Sequence, residues 1–223
     1  MPIQSRATLE SGLAELNTNI LSIGSMVDEA IESAMEALYK RDIEMAETVI
    51  ASDDRINQLR LETEEKCLLL LATQQPVAGD LRTIVATIHI VSELERIGDH
   101  AAGIARLVGR LENEPELDTL HKLPKMAKRA RKMLKESIQA YITQDTDLAQ
   151  SLVKRDDKLD KHYRKLFRET LKEMQDDEYI RRATFLLWVG HDLERIGDRS
   201  TNISERVIFM TTGLFIEIVP SND

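Results

Sequence analysis

The sequence predicts an all-α fold made of two tandem, pseudo-symmetric three-helix bundles, spanning residues 1–113 and 114–223. Three observations predict it. Aromatic residues are only 4% of the chain, so a core must come from Leu, Ile, Val, Ala and Met, which suit packed helices better than sheets. Nine Gly and five Pro in 223 residues leave room for long unbroken elements. The hexapeptide Leu94-Glu95-Arg96-Ile97-Gly98-Asp99 recurs identically as Leu193-Glu194-Arg195-Ile196-Gly197-Asp198, 99 residues on.

Six helical stretches can be read between breakers. The first runs from about Leu9 to Tyr39 and ends near Lys40-Arg41-Asp42. The second runs from Ile43 to Gln74 and stops at Gln75-Pro76, because the residue before a proline is driven out of the helical region. The third opens at Gly79-Asp80, with Asp80 as its N-cap, and continues to Leu111. Asn113 to Pro124 carries two prolines and marks the domain boundary. The fourth spans Pro124 to Thr143, the fifth Asp147 to Gln175 and the sixth Asp177 to Thr212. Leu214 to Val219 reads as a short apolar tail.

Charge and cysteine content narrow the function. A formal charge of −9 argues against non-specific nucleic-acid binding, which needs a basic surface. The single cysteine, Cys67, permits no intramolecular disulfide and fits a reducing compartment; within Lys66-Cys67-Leu68-Leu69 it reads as a small buried hydrophobe. Residues 1–10 lack a signal peptide's basic start and apolar stretch, and no segment approaches the ~20 apolar residues of a membrane span. The expectation is a cytoplasmic protein that reaches a membrane only through partners.

A second match deepens the repeat. Asp53-Asp54-Arg55-Ile56-Asn57 corresponds to Asp156-Asp157-Lys158-Leu159-Asp160, 103 residues on, so the second hairpin is shorter by about one helical turn. Within each hexapeptide, Glu and Asp four apart lie one above the other on a helix. At 100° per residue, Thr87, Ile90, Val91, Leu94, Ile97 and Ala101 form the core stripe of the third helix. Glu95 and Asp99 flank that stripe beside Ile84 and Ile88, away from the polar side that holds His89, Glu93 and Arg96.

Hairpin register supplies partners from the preceding helix, because residues equally far from a tight loop lie at one height. With the second loop centred near Asp177, Asp198 and Asp156 both fall 21 residues away, and Glu194 and Asp160 both fall 17 away. In the first unit, centred near Val77, Glu95 and Asp99 face Asn57 and Asp53 within about one turn. Each unit can therefore gather an acidic quartet: Asp156, Asp160, Glu194 and Asp198, or Asp53, Asn57, Glu95 and Asp99. Oxygen-rich sites of this kind suit Mg²⁺, Mn²⁺, Ca²⁺ or iron. His191 shares the face of Glu194 and Asp198, where an imidazole would favour Zn²⁺ or iron, but Ser92 stands in the equivalent place, so His191 is no general ligand.

The competing reading is that the acids only form salt bridges with Arg96, Arg195, Lys158 or the neighbouring unit. An asymmetry also stands out: at this height the first helix offers Asp28 and Glu32, and the fourth offers Lys128, Arg131 and Lys132. The basic run from Lys122 to Lys135 reads as a solvated face. No Gly-rich phosphate loop, nucleophile elbow, His-Glu-x-x-His or Cys-x-x-Cys is present, and no Glu stands three residues before a His as in ferritin-like di-iron bundles. The reading is therefore a regulatory protein and not an enzyme, with a metal-dependent hydrolase of phosphorylated substrates and a metal-free helical scaffold as alternatives.

The duplicated Leu-Glu-Arg-Ile-Gly-Asp, with Pro76-Val77-Ala78-Gly79-Asp80-Leu81-Arg82 ahead of the first copy and Asn202-Ile203-Ser204-Glu205-Arg206-Val207-Ile208 closing the second unit, resembles the PhoU family over nearly the whole chain. The resemblance implies two symmetry-related three-helix bundles and a cytoplasmic negative regulator of phosphate uptake and of the phosphate-starvation response. It implies partners as well: the phosphate ABC transporter through its ATPase subunit, a sensor histidine kinase, and a second copy in a homodimer. Multinuclear metal clusters, of iron, Zn, Mn or Mg, are implied on Glu/Asp-x-x-x-Asp pairs. That pattern falls on Glu95/Asp99, Glu194/Asp198 and Asp156/Asp160, while Asp53/Asn57 departs from it.

Overall fold

The computed structural model describes residues 3–111, 122–153 and 157–216, and among these it contains seven helices and no strand. They are α1 (Ile3–Lys40), α2 (Ile43–Gln74), α3 (Ala78–Leu111), α4 (Leu123–Thr143), α5 (Thr146–Val153), α6 (Asp157–Glu173) and α7 (Ile180–Thr212). The stretch expected as one fifth helix is described as α5 and α6, with residues 154–156 outside the described set. No helix among the described residues is long and apolar enough to cross a membrane.

Local chemistry explains most of the boundaries. Asp42 caps α2, its side chain accepting the Met45 N–H at 2.9 Å. Gln75 and Ala78 both take left-handed backbone (φ 47° and 49°) around Pro76, which reverses the chain between α2 and α3. Helix α3 therefore starts at Ala78, and Asp80 is not its N-cap as expected. It lies in the first turn, where its charge suits the helix dipole, and accepts from Arg6 at 2.7 Å. Gly213, at φ 79°, ends α7 with its N–H on the Phe209 carbonyl.

The helices α3 and α7 pack on each other at the centre, α1 and α2 close the first bundle on α3, and α4, α5 and α6 close the second on α7. One continuous core runs through both bundles, from Ile20 and Ile31 through Leu94 and Ile97 to Leu193 and Ile196. A smaller cluster of Leu9, Leu16, Cys67, Leu70 and Ile84 fills the far end of the first hairpin, and Cys67 is fully buried there as a small hydrophobe. The six residues read as the core stripe of α3 are all fully buried.

The α3–α7 contact carries the polar half of the pseudo-symmetry. Glu93, expected on the solvent side, instead lies in this contact: its side chain is 15% exposed and accepts from Asn202 at 3.1 Å and Arg199 at 3.4 Å. Helical phase assigns a direction to a side chain but cannot see which neighbour occupies it. The counterpart of Glu93 is Asp192, and that of Arg199 is His100; these two meet at 3.0 Å. One ion pair of the interface is thus permanent, and its twin is charged only when His100 is protonated. A second tie crosses between the units where the buried Tyr141 hydroxyl meets Thr87 Oγ1 at 2.7 Å.

The contrast between Asp28/Glu32 and Lys128/Arg131/Lys132 resolves into another inter-unit tie. Arg131 on α4 donates to both oxygens of Asp28 (2.7 and 2.9 Å) and both of Glu32 (2.7 and 2.9 Å) on α1, and Lys135 lies 3.0 Å from Asp28. Burial would raise the Asp28 carboxyl, but the hydrogen bonds from Arg131 and Lys135 outweigh it and hold the group below its ordinary value. The stabilisation this tie supplies is present above the ordinary carboxylate range and is lost as pH falls through the lower folded value. An Arg131→Met variant should melt about 2–4 °C lower than wild type at pH 7. In thermal melts taken down the acid limb that gap should close, and a gap that stayed constant to pH 2 would show that packing, not charge, carries the tie.

Candidate metal centres at two acidic seams

The second seam lies where α6 meets α7. Asp160 from α6 and Glu194 and Asp198 from α7 bring one carboxylate oxygen each to within 4.8 Å of one another. This is the one such group of three among the described residues. Hairpin register placed Asp160 and Glu194 at one height, and the structure brings them together. Asp156 lies outside the described residues.

Burial and like charge dominate the electrostatics of this seam. Glu194 is only 19% exposed, and one of its oxygens is buried with no hydrogen bond among the described residues. Burial, then the Asp198 charge, push its carboxyl up to about 7, with Arg195 opposing and Asp160 adding to the rise. Asp198 is raised as well, by burial first, against the pull of Arg195. Arg195 donates to Asp198 at 3.0 Å and lies 3.6 Å from Glu194, so the salt-bridge reading is met in part; yet it is 44% exposed and does not cancel the shift. His191 Nδ1 stands 3.5 Å from Glu194, beside the Tyr163 ring. Burial and then Arg195 lower its affinity for a proton, which leaves a neutral imidazole at the edge of the seam.

The first seam is built from α2 and α3 and is not a copy. Asn57 Nδ2 donates to Asp53 Oδ2 at 3.4 Å, so the amide turns a donor toward the acids. The other oxygen of Asp53 is buried and accepts no hydrogen bond among the described residues. Burial and Asp99 raise Asp53, and the same two causes raise Glu95. The motif glycine has a role here: a Cβ on Gly98 would lie 3.1 Å from Ile56 and 3.2 Å from Asp53 Oδ1, so its absence lets α2 settle close enough to bring Asp53 in.

Arg60 was not anticipated. Its Nη1 donates to both oxygens of Glu64 at 2.9 Å, and its Nε lies 3.8 Å from Glu95 Oε1. The signal was in the sequence, because Arg60 follows Asn57 by three residues and shares its helix face. Tyr163 holds the equivalent place, 103 residues on. Clustered carboxylates with orphaned buried oxygens fit hard or borderline divalent ions. Asp160, Glu194 and Asp198 fit such an ion, and the first set fits with the same number of carboxylates, Asn57 in the place of Asp160, and one guanidinium more.

The fold and these seams define a class: a duplicated helical-bundle protein with acidic side chains gathered between α2 and α3 and between α6 and α7. Comparison with known proteins places it further. The PhoU domain matches residues 20–108 and again 123–207, and the chain belongs to the PhoU family. A Clostridium acetobutylicum protein named phosphate-specific transport system accessory protein PhoU homolog is 41% identical over 96% of this chain and 99% of its own length. An Aquifex aeolicus protein of the same name is 37% identical over 92% and 93%. Crystal structures of PhoU from Pseudomonas aeruginosa and of the phosphate transport system regulatory protein PhoU from Streptococcus pneumoniae superpose with TM-scores of 0.87 and 0.88, each at 34% identity. They cover 92% and 94% of this chain and 99% and 100% of their own.

A carboxyl raised by its surroundings destabilises the fold once it ionises. In chelator-treated protein, wild type should lose stability as pH rises from about 4.5 through the value near 7 at which Glu194 titrates. Glu194→Gln should therefore melt higher than wild type at pH 8 and match it below the ordinary carboxylate range. Thermal melts across pH check this, and a Gln variant that melts lower than wild type at pH 8 would contradict the repulsion.

Proposed function

We propose that this protein is an accessory regulator of phosphate transport: a cytoplasmic adaptor between the ATPase subunit of a phosphate ABC transporter and a sensor histidine kinase. In this reading it restrains uptake and the starvation response when phosphate is plentiful, acts as a homodimer, reaches the membrane only through its partners and performs no chemistry. The observation that carries it is the end-to-end match, in both sequence and fold, to relatives named as phosphate-transport accessory and regulatory proteins.

The acidic seams hold divalent or iron-type ions, in multinuclear clusters, as part of the same proposal. Bound ions would supply the positive charge that raised carboxyls and orphaned oxygens lack, fixing each hairpin's outer face as a contact surface. Asp160, Glu194 and Asp198 would hold metal in the second seam, with His191 at its edge, and Asp53, Glu95 and Asp99 in the first.

Deleting the gene, together with any second copy in the genome, should release a phosphate-starvation phosphatase reporter in high-phosphate medium. Continued repression in that strain would overturn negative regulation. Metal analysis of protein purified without chelator or affinity metal tests the seams separately. Wild type should carry metal, and a variant with Ala at Glu95, Asp99, Glu194 and Asp198 should carry little; equal and negligible metal in both would leave a metal-free scaffold.

A further inference from the structure

We infer that Arg60 is the built-in counter-cation of the first seam, and that it makes this seam the weaker, exchangeable cation site while the second holds its ion as a resident. The inference rests on the proposal that the seams bind metal. It goes beyond that proposal by giving the two seams different tasks and naming the residue that separates them.

Three differences between equivalent positions point the same way. Where the second unit has Asp160, the first has Asn57, which removes one charge and presents an amide donor to Asp53. Where the second has Tyr163, neutral and packed beside His191, the first has Arg60. Where the second has the exposed Phe167, the first has Glu64, which grips Arg60 through two 2.9 Å hydrogen bonds to one nitrogen. That grip fixes the guanidinium: its side chain is 23% exposed, its Nε is buried, and the Nε makes no hydrogen bond among the described residues while standing 3.8 Å from Glu95 Oε1.

A guanidinium carries a fixed positive charge, so Arg60 competes with an incoming cation for the Glu95 carboxylate. Arg195 does not do the same for the second seam. It reaches Asp198 from its own helix, is 44% exposed and can rotate into solvent. An ion entering the first seam must share Glu95 with Arg60 or push it back onto Glu64, and either course weakens binding through Coulomb repulsion at short range. Among the described residues, only the second seam brings three carboxylate oxygens within 4.8 Å of one another.

The test is calorimetric titration of chelator-stripped, full-length protein with Mn²⁺. Wild type should show two classes of site. Glu194→Gln/Asp198→Asn should remove the tighter class, and Glu95→Gln/Asp99→Asn the weaker. Arg60→Met should tighten the weaker class by about tenfold and leave the tighter one unchanged. Arg60→Gln serves if the Met variant fails a circular-dichroism folding check. Tyr163→Arg should weaken the tighter class in return. An Arg60 variant whose titration overlays or falls below wild type, or a weaker class that maps to the second seam, would overturn the inference alone. Wild-type protein that takes up no Mn²⁺ in either class would overturn the metal reading and this inference together.

Discussion

The packing of α3 against α7 is the contact from which the other placements follow. Leu94 and Ile97 on one helix and Leu193 and Ile196 on the other are fully buried, so the two copies of the hexapeptide meet the core through their apolar positions. Once those positions face inward, helical geometry leaves the Glu and Asp of each copy at the flank, where the preceding helix of the same unit arrives. The seam acids are therefore a by-product of the core stripe's phase. Moving the apolar stripe by one residue would send the carboxylates to solvent and leave no seam.

The same arrangement carries an electrostatic cost. Glu194, Asp198, Asp53 and Glu95 all hold protons more tightly than free carboxyls do, with burial the first cause each time. Like charges gathered at a partly desolvated seam oppose folding unless a cation offsets them. The two units answer this differently. The first brings its own cation, Arg60, and substitutes Asn57 for an acid. The second keeps Asp160, Glu194 and Asp198 together, with the half-exposed Arg195 beside the last two. Duplication supplied two identical motifs, and divergence on the facing helix made them unequal.

Between the units, polar ties sit outside the seams. Arg131 forks onto Asp28 and Glu32, Glu93 takes Arg199 and Asn202, and His100 meets Asp192. These contacts pair charges across the junction of the two units. Arg131 engages both carboxylates, so Asp28 and Glu32 serve the junction of α1 and α4.

The sequence by itself determined the helical class, the duplication, the position of nearly every helix and the core stripe of α3, because each is written in local periodicity, breakers and self-similarity. It also brought Asp160 level with Glu194, since a tight hairpin makes height a matter of counting. Only the tertiary structure decided where Glu93, Asp28 and Arg60 go. A helix face has a direction along the chain but no partner until another helix lies against it, and the partners that decide these three come from α7, α4 and α3. Asp80 was misplaced for a related reason: two left-handed residues beside Pro76 started α3 two residues early, a backbone choice that residue type alone does not dictate. The hexapeptide announced two like motifs, Asn57 in place of Asp160 already set them apart in the sequence, and the packing of α2 on α3 added Arg60 to the difference.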